Sequence, residues 1–472
     1  MQAPTFAAHV EVPVSHFDMN LPNCISTYCF VIAGELDATK MQQSFDKLVM
    51  EHWPIIGARL RRKSLERGVR GVYFVPESFS DEIPTCIFQH EHIEGPDTWT
   101  ERRKTDTPSI QATYSKEVPL YLPHDRPVTM DAYYNSNRPL FHIKMTTASK
   151  ANVTYLSITV PHLFTDAGGI TLLLEGWSSV LKDQANLVPP LFSTAPMESW
   201  KLSKPVDEGA PGLWLIEDAE TARIIGESLE GVEVRDIFMP RSFLSALRAD
   251  AMEALKARGV EESFLSEGDC LWAWWTKLSF PARTDKNAKL NLGQAINFRN
   301  NFPGFNDGPH KQIRNAFGGM FLLPSLSPDE VDAMPLHELA YIIRRSVLNL
   351  REHPEDVQDQ AIVMAQIYLG GKPLINFDPK LDINIFSNWL SMSFNSAAVD
   401  FSPALEGSTV SRDAGRIINA RYYRTDSTDH SSRTFALCKD SDGDIWMNSQ
   451  MHKDLWEHPR LKALMTHERQ ME

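Results

Sequence analysis

The sequence predicts a mixed α/β fold of the α+β kind, built as two domains. Three observations carry this expectation. The chain has 472 residues, more than one ordinary hydrophobic core accommodates, so two domains of fairly equal size are expected. The β-branched run Val153-Thr154-Tyr155-Leu156-Ser157-Ile158-Thr159-Val160 is followed by Ile170 to Leu174 and Trp177 at helical spacing, a strand leading through a turn into a helix. Between 183 and 235 the chain carries Pro189, Pro190, Pro196, Pro205 and Pro211 with Gly209 and Gly212 and no sustained period. That composition suits a semi-rigid crossover. The domains are therefore expected at 1–190 and 236–472, joined by 191–235, with part of 370–400 packing against the first.

In chain order, residues 11–34 read as a loop and then a strand from Thr27 to Ile32. Met41, Phe45, Leu48 and Val49 share one face of a helix over 38–52, with Thr39 as its N-cap and Pro54 ending it. Two short strands are expected within 72–95, and 96–138 reads as polar surface structure. Gln89-His90-Glu91-His92 reads as a solvated loop, because no second ligand group stands at metal spacing. Leu140 to Met145 alternates and pairs with 153–160 through a turn at 149–152, with His142 facing the other side of the sheet.

In the second half, Phe243, Leu244, Leu247, Ala251 and Leu255 line one face of a helix over 241–257. Ser266 and Asp269 form a capping box ahead of an aromatic helix whose Trp272, Trp274 and Trp275 read as core. Leu290 to Arg299 reads as a strand, and Phe317-Gly318-Gly319 as a bend. Helices follow near 335–350 and 355–370, then strands at 417–424, 432–438 and 445–450 and a short helix at 453–465.

Composition narrows the function. Hydrophobic residues make up 42% and charged residues 23%, which excludes a disordered chain. The net charge is −14 without a long basic run, so nucleic acid is not the expected partner, and an anionic ligand needs a local basic patch. The five cysteines, Cys24, Cys29, Cys86, Cys270 and Cys438, show no C-x-x-C or Cys/His metal spacing. They are expected as reduced thiols in a cytoplasmic protein, with no metal. Neither a signal peptide nor a run of about 18 apolar residues is evident, so no membrane insertion is expected.

Pro161-His162-Leu163-Phe164-Thr165-Asp166-Ala167-Gly168-Gly169 sits where the strand turns toward the helix. Strand ends are where α/β proteins gather their sites, because the sheet fixes the backbone and the loop leaves the side chain open. Among 15 histidines, His162 alone has Asp four residues on. The structural alternative is a core histidine with a helix-capping Asp166.

This context resembles the HxxxD motif of the BAHD acyltransferases, which transfer acyl groups from coenzyme A thioesters to alcohols or amines. Ordered similarities run along nearly the whole chain. Ser15-His16-Phe17-Asp18 is similar to the family's Ser-x-x-Asp opening. Pro54 to Leu60 resembles P-x-x-G-R-L with Ala58 inserted. Asp269 to Trp274 resembles the T-x-x-D-A-L-x-A helix, Asn297 to Arg299 the V-D-x-R strand, Phe317-Gly318-Gly319 the F-G-N turn, and Ser387-Asn388-Trp389 the T-S-W segment. Asp400-Phe401 keeps the start of D-F-G-W-G, but Ser402-Pro403-Ala404 replaces the rest, a departure in a segment that in the family supports the fold and the coenzyme A region. Related condensation domains carry His-His-x-x-x-Asp-Gly; Pro161 and Ala167 depart from that pattern.

The resemblance implies two chloramphenicol-acetyltransferase-like domains, each a mixed β-sheet flanked by helices, with a channel between them that reaches His162 from both ends. It implies an acyl-CoA-dependent O-acyltransferase, most simply an acetyl transfer, acting on a hydroxyl of a small specialised metabolite. Acyl-CoA is then a co-substrate, and a monomer is expected because the channel is complete within one chain. A histidine suits the general base, since its ordinary pKa lies near neutrality. Asp166 either orients the His162 ring or, as the family implies, pairs with Arg299, for which Asp400 competes. Ser387 and Trp389 are the candidate oxyanion donors. Lys256, Arg258, Lys277, Arg283, Lys286 and Lys289 are candidates for the coenzyme A phosphates. The alternative is a binding or cyclisation protein of the same fold that has lost coenzyme A use with the altered 402–404 segment.

Overall fold

The computed structural model describes residues 8–15, 17–18, 24–65, 68–94, 104–112, 118–201, 214–215, 232–260, 264–281, 290–321, 326–369, 374–375, 382–392, 394–407, 413–425 and 432–465. His16, Arg283, Lys286, Lys289 and most of the expected crossover lie outside them. The strands are β1 (His9–Pro13), β2 (Ile25–Ala33), β3 (Arg59–Leu65), β4 (Gly68–Pro76), β5 (Ile87–Ile93), β6 (Ser109–Ala112), β7 (His142–Ala148), β8 (Val153–Pro161), β9 (Trp214–Leu215), β10 (Val232–Met239), β11 (Leu290–Asn297), β12 (Phe317–Phe321), β13 (Leu374–Ile375), β14 (Asp382–Asn388), β15 (Ile417–Thr425), β16 (Ser432–Lys439) and β17 (Ile445–His452).

Two large mixed sheets organise the chain. One has the order β15-β2-β8-β7-β5 and the other β12-β11-β14-β16-β17-β10-β6. A three-stranded sheet, β1-β4-β3, and a short β13-β9 ladder complete the pairing. β2, β7 and β8 are buried along nearly their whole length, which is why they read as β-branched and apolar runs without clean alternation.

Each half lends a strand to the other's sheet. β15, from the end of the chain, pairs antiparallel with β2, and β6, from the first half, pairs antiparallel with β10. These exchanges cover edges that would otherwise present unpaired backbone groups. The return segment also crosses over: Trp389, Phe394, Val399, Phe401 and Ala404 pack into the core of the first sheet.

The helices Ala38–Glu51 and Ala167–Leu181 cover the first sheet. Trp177 joins them through its indole N–H, which donates to Ser44 Oγ at 2.8 Å and Met41 O at 3.1 Å. Trp272 and Trp275 are buried on the helix Glu267–Ser279, and Trp274 is nearly so. The Ser266–Asp269 capping box is formed.

Several expectations are corrected. Asp37, not Thr39, caps the first helix, its Oδ1 accepting from Thr39 N at 2.8 Å and Lys40 N at 3.1 Å; a carboxylate at the cap satisfies two orphan donors at once. Gln89 to His92 belong to β5, parallel to β7, rather than to a loop. The polar stretch 96–138 contains β6, whose Ile110 is buried. Phe317-Gly318-Gly319 begins β12, antiparallel to β11. The final helix is two short ones, Lys453–Trp456 and Pro459–Lys462, because proline cannot continue the first.

Candidate active site

His162 follows the last residue of β8. The ladder brings Ile25 opposite Pro161, and His162 N–H donates to Cys24 O at 2.8 Å, extending the β2–β8 pairing by one residue. Phe164 N–H then folds back onto Pro161 O at 2.9 Å, a tight turn that ends the strand. The imidazole is buried, 8% exposed, and its ring lies 5.3 Å from that of Phe317.

Asp166 is the N-cap of the helix Ala167–Leu181, accepting from Gly169 N at 2.9 Å through Oδ1. The same carboxylate pairs with Arg299 Nη1, 2.9 Å from Oδ1 and 3.1 Å from Oδ2. Its Oδ2 also accepts from Ala316 N at 2.8 Å. Both oxygens are thus committed to fixed donors. Arg299 is held in turn by Gln312 O and Arg314 O, each at 2.8 Å. The glycines after Asp166 are required by space. A Cβ on Gly168 would lie 2.6 Å from Arg299 Nη1, and one on Gly169 would lie 2.1 Å from the Ile313 carbonyl oxygen.

The segment 312–316, not singled out from sequence, grips this loop along its length. Ile313 O accepts from Thr165 Oγ1 at 2.6 Å. Asn315 Nδ2 donates to His162 O at 2.6 Å and Leu163 O at 3.1 Å. Arg314 Nη1 approaches Asp18 Oδ2 at 3.7 Å and donates to Pro13 O at 3.3 Å. Asp18 is fully buried, and burial pushes its carboxyl up to about 7 despite the Arg314 charge. Ser15 N donates to Asp18 Oδ2 at 3.0 Å, so the Ser15-to-Asp18 turn buttresses the segment.

Ser387 and Trp389 form a series rather than two parallel donors. Trp389 Nε1–H donates to Ser387 Oγ at 2.8 Å, so the indole proton is spent and the serine keeps its own hydroxyl proton. Trp389 packs on Tyr422 and Tyr28, with ring centroids 5.0 and 5.6 Å away. Tyr422 O–H is 2.7 Å from Ser26 Oγ.

Asp400 does not compete for Arg299; it pairs with Lys182 at 3.5 Å. Burial raises its carboxyl, but the Ser402 hydrogen bonds and the Lys182 and Arg416 charges bring it below its ordinary range. Its backbone closes onto Ser178, whose Oγ donates to Asp400 O at 2.7 Å and accepts from Asp400 N at 2.8 Å. Asp400-Phe401 therefore docks on the helix that Asp166 caps, and Ser402–Ala404 forms a 3-10 turn.

Of the described cations expected for the donor phosphates, Lys277 donates to Val331 O at 2.8 Å and Asp332 O at 3.1 Å, and also to Met334 O. That use closes the end of the helix Pro328–Ala333 and competes with a phosphate role. Arg258 pairs with Glu338. Lys256 is exposed in the last turn of the helix Arg241–Ala257. The acidic trio Asp440, Asp442 and Asp444 was not singled out from sequence; Lys104 Nζ lies 2.7, 2.7 and 3.1 Å from them and offsets their charge.

No protein-family model matches the chain. Acetyltransferase BOT5 of Botryotinia fuckeliana is 26% identical over 487 residues, covering 92% of this chain and 86% of that one. O-acetyltransferase PaAT-2 of Phomopsis amygdali is 25% identical over 502 residues, covering 96% and 97%. Among solved structures, TRI101 of F. sporotrichioides complexed with coenzyme A and T-2 superposes with a TM-score of 0.66 at 13% identity, covering 96% and 97% of the two chains. Vinorine synthase gives 0.62 at 15% identity, covering 98% and 95%. At these identities the structural likeness is one of fold. Taken with curated acetyltransferases aligned over nearly the whole chain, and with His162 and Asp166 set at the strand-to-helix turn, it supports an acyltransferase of the fungal BAHD type.

Proposed function

We propose that the protein transfers an acyl group, acetyl first among them, from an acyl-CoA thioester to a hydroxyl of a small specialised metabolite, with His162 as general base. The commitment of Asp166 carries this reading. Its oxygens are occupied by Arg299, Gly169 and Ala316, which supports a loop-fixing role for the carboxylate and leaves His162 to act by its own basicity. The imidazole takes the acceptor hydroxyl proton as the oxygen attacks the thioester carbonyl carbon. The tetrahedral intermediate collapses with cleavage of the C–S bond, and the imidazolium returns its proton to the departing sulfur. No acyl-enzyme is needed, because both substrates are held together in one ternary complex and proximity supplies much of the rate.

Ser387 is the oxyanion donor in this scheme. Trp389, by donating to Ser387 Oγ, polarises that hydroxyl and strengthens its outgoing hydrogen bond. Coenzyme A in the TRI101 complex and ethyl-coenzyme A in another of F. graminearum TRI101 support the donor class. The names of the curated relatives support acetyl. A single chain carries every residue invoked, which supports a monomer.

Calorimetric titration with acetyl-CoA tests the donor without knowledge of the acceptor. A dissociation constant in roughly the micromolar range is expected, followed by thiol release when hydroxylated metabolites are screened. Folded protein that shows no heat and no competition by free coenzyme A would contradict the proposal.

A further inference from the structure

We infer that Asn315 is a positioning residue for His162, a role that rests on the reading of His162 as the base. Past the last ladder pair, Ile25 opposite Pro161, the carbonyls of His162 and Leu163 accept from donors outside the β2–β8 pair. The Asn315 carboxamide supplies them, giving one N–H to each carbonyl, at 2.6 and 3.1 Å. The opposite orientation of the carboxamide would set its oxygen against two carbonyl oxygens, so chemistry fixes which way it points. Tyr73 O–H adds a bond to Leu163 O at 3.0 Å.

The neighbours of Asn315 pin the other end of the same loop. Ala316 N–H holds Asp166 Oδ2 at 2.8 Å, and Ile313 O takes the Thr165 hydroxyl at 2.6 Å. The five residues 312–316 thus hold both ends of the H-x-x-x-D loop from a segment that enters β12, a strand of the second sheet. Asp166 and Arg299 fix the helix end of the loop. Asn315 fixes the peptide from which the catalytic ring projects. Ring position therefore depends on a side chain that touches no reacting atom, and a shift of about 1 Å there costs up to ~100-fold in rate.

The test compares Asn315→Ala and Asn315→Asp with wild type and with His162→Ala. Asn315→Asp keeps the shape of the side chain and removes both N–H donors. A space-filling role predicts that Asp is spared while Ala is not. Positioning predicts that both lose about 10–100-fold in kcat with acetyl-CoA affinity unchanged, and that a crystal structure of Asn315→Ala shows the His162 ring displaced. The crystal structure needs no acceptor, so it reads the proposal even if turnover is slow. Wild-type kcat in both Asn315 variants, or an unmoved His162 ring in Asn315→Ala, overturns positioning. Unchanged turnover in His162→Ala instead overturns the underlying assignment of the base.

Discussion

At the scale of single residues, the site is governed by who holds which atom. Asp166 has three donors on two oxygens; of the two roles weighed from sequence, the resemblance favoured pairing with Arg299, and the bonds to Arg299, Gly169 and Ala316 agree with fixing the loop. His162, Asp166 and Arg299 were legible because each is a chemically distinctive side chain within a recognisable order. Segment 312–316 was not, because most of its bonds are made by backbone carbonyls and an amide N–H, which any residue offers.

Asp18 adds a pH dependence that can be worked out in sign. Its folded-state value of about 7 lies above an unfolded value near ~4. Between those limits the folded state binds more protons, so this group's favourable contribution is complete below about 4 and is lost as pH rises through 7. Asp18→Asn removes the titration while keeping an oxygen for Ser15 N–H. The melting temperature of the variant relative to wild type should therefore rise between pH 5 and pH 8, as measured by thermal denaturation across that range.

At the scale of elements, the main strands and long helices follow from β-branched runs and apolar periodicity. β6 did not, because four residues inside a polar stretch give too short a pattern and its partners, β10 and the Leu464–Met465 segment, are remote in sequence. The domain limits were harder still, since pairing partners far apart in sequence leave no local signal. β15 covers the edge of β2, a strand buried on both faces. A fragment comprising residues 1–190 would expose that edge and should aggregate or unfold without a cooperative transition. The full chain should melt cooperatively, as differential scanning calorimetry will read; a cooperatively folded, soluble fragment would show the strand exchange to be dispensable.

At the scale of the molecule, Phe238, Leu437 and Trp446 of the second sheet join the core of the first, and the two are further tied by the exchanged strands, the 389–404 return segment, and the grip of 312–316 on the H-x-x-x-D loop. The loop that carries His162 is made in the first half and held by the second, so the site is complete only when both are folded together. Among the described residues no helix is long and apolar enough to cross a membrane. Just before the altered 402–404 segment, the backbone of Asp400 still closes onto Ser178 of the helix that Asp166 caps, and Ala404 O accepts from Asp37 N at 2.7 Å at the start of the first helix.

The central claim is that His162 does the chemistry in a site that binds its donor independently. The most direct measurement is therefore made on His162→Ala, pairing acetyl-CoA titration with acyl transfer to whichever alcohol the wild-type protein accepts. Donor affinity should stay within about twofold while transfer falls by ~10²–10⁴-fold, the usual contribution of a general base. Transfer at the wild-type rate, with the donor still bound, would contradict the account.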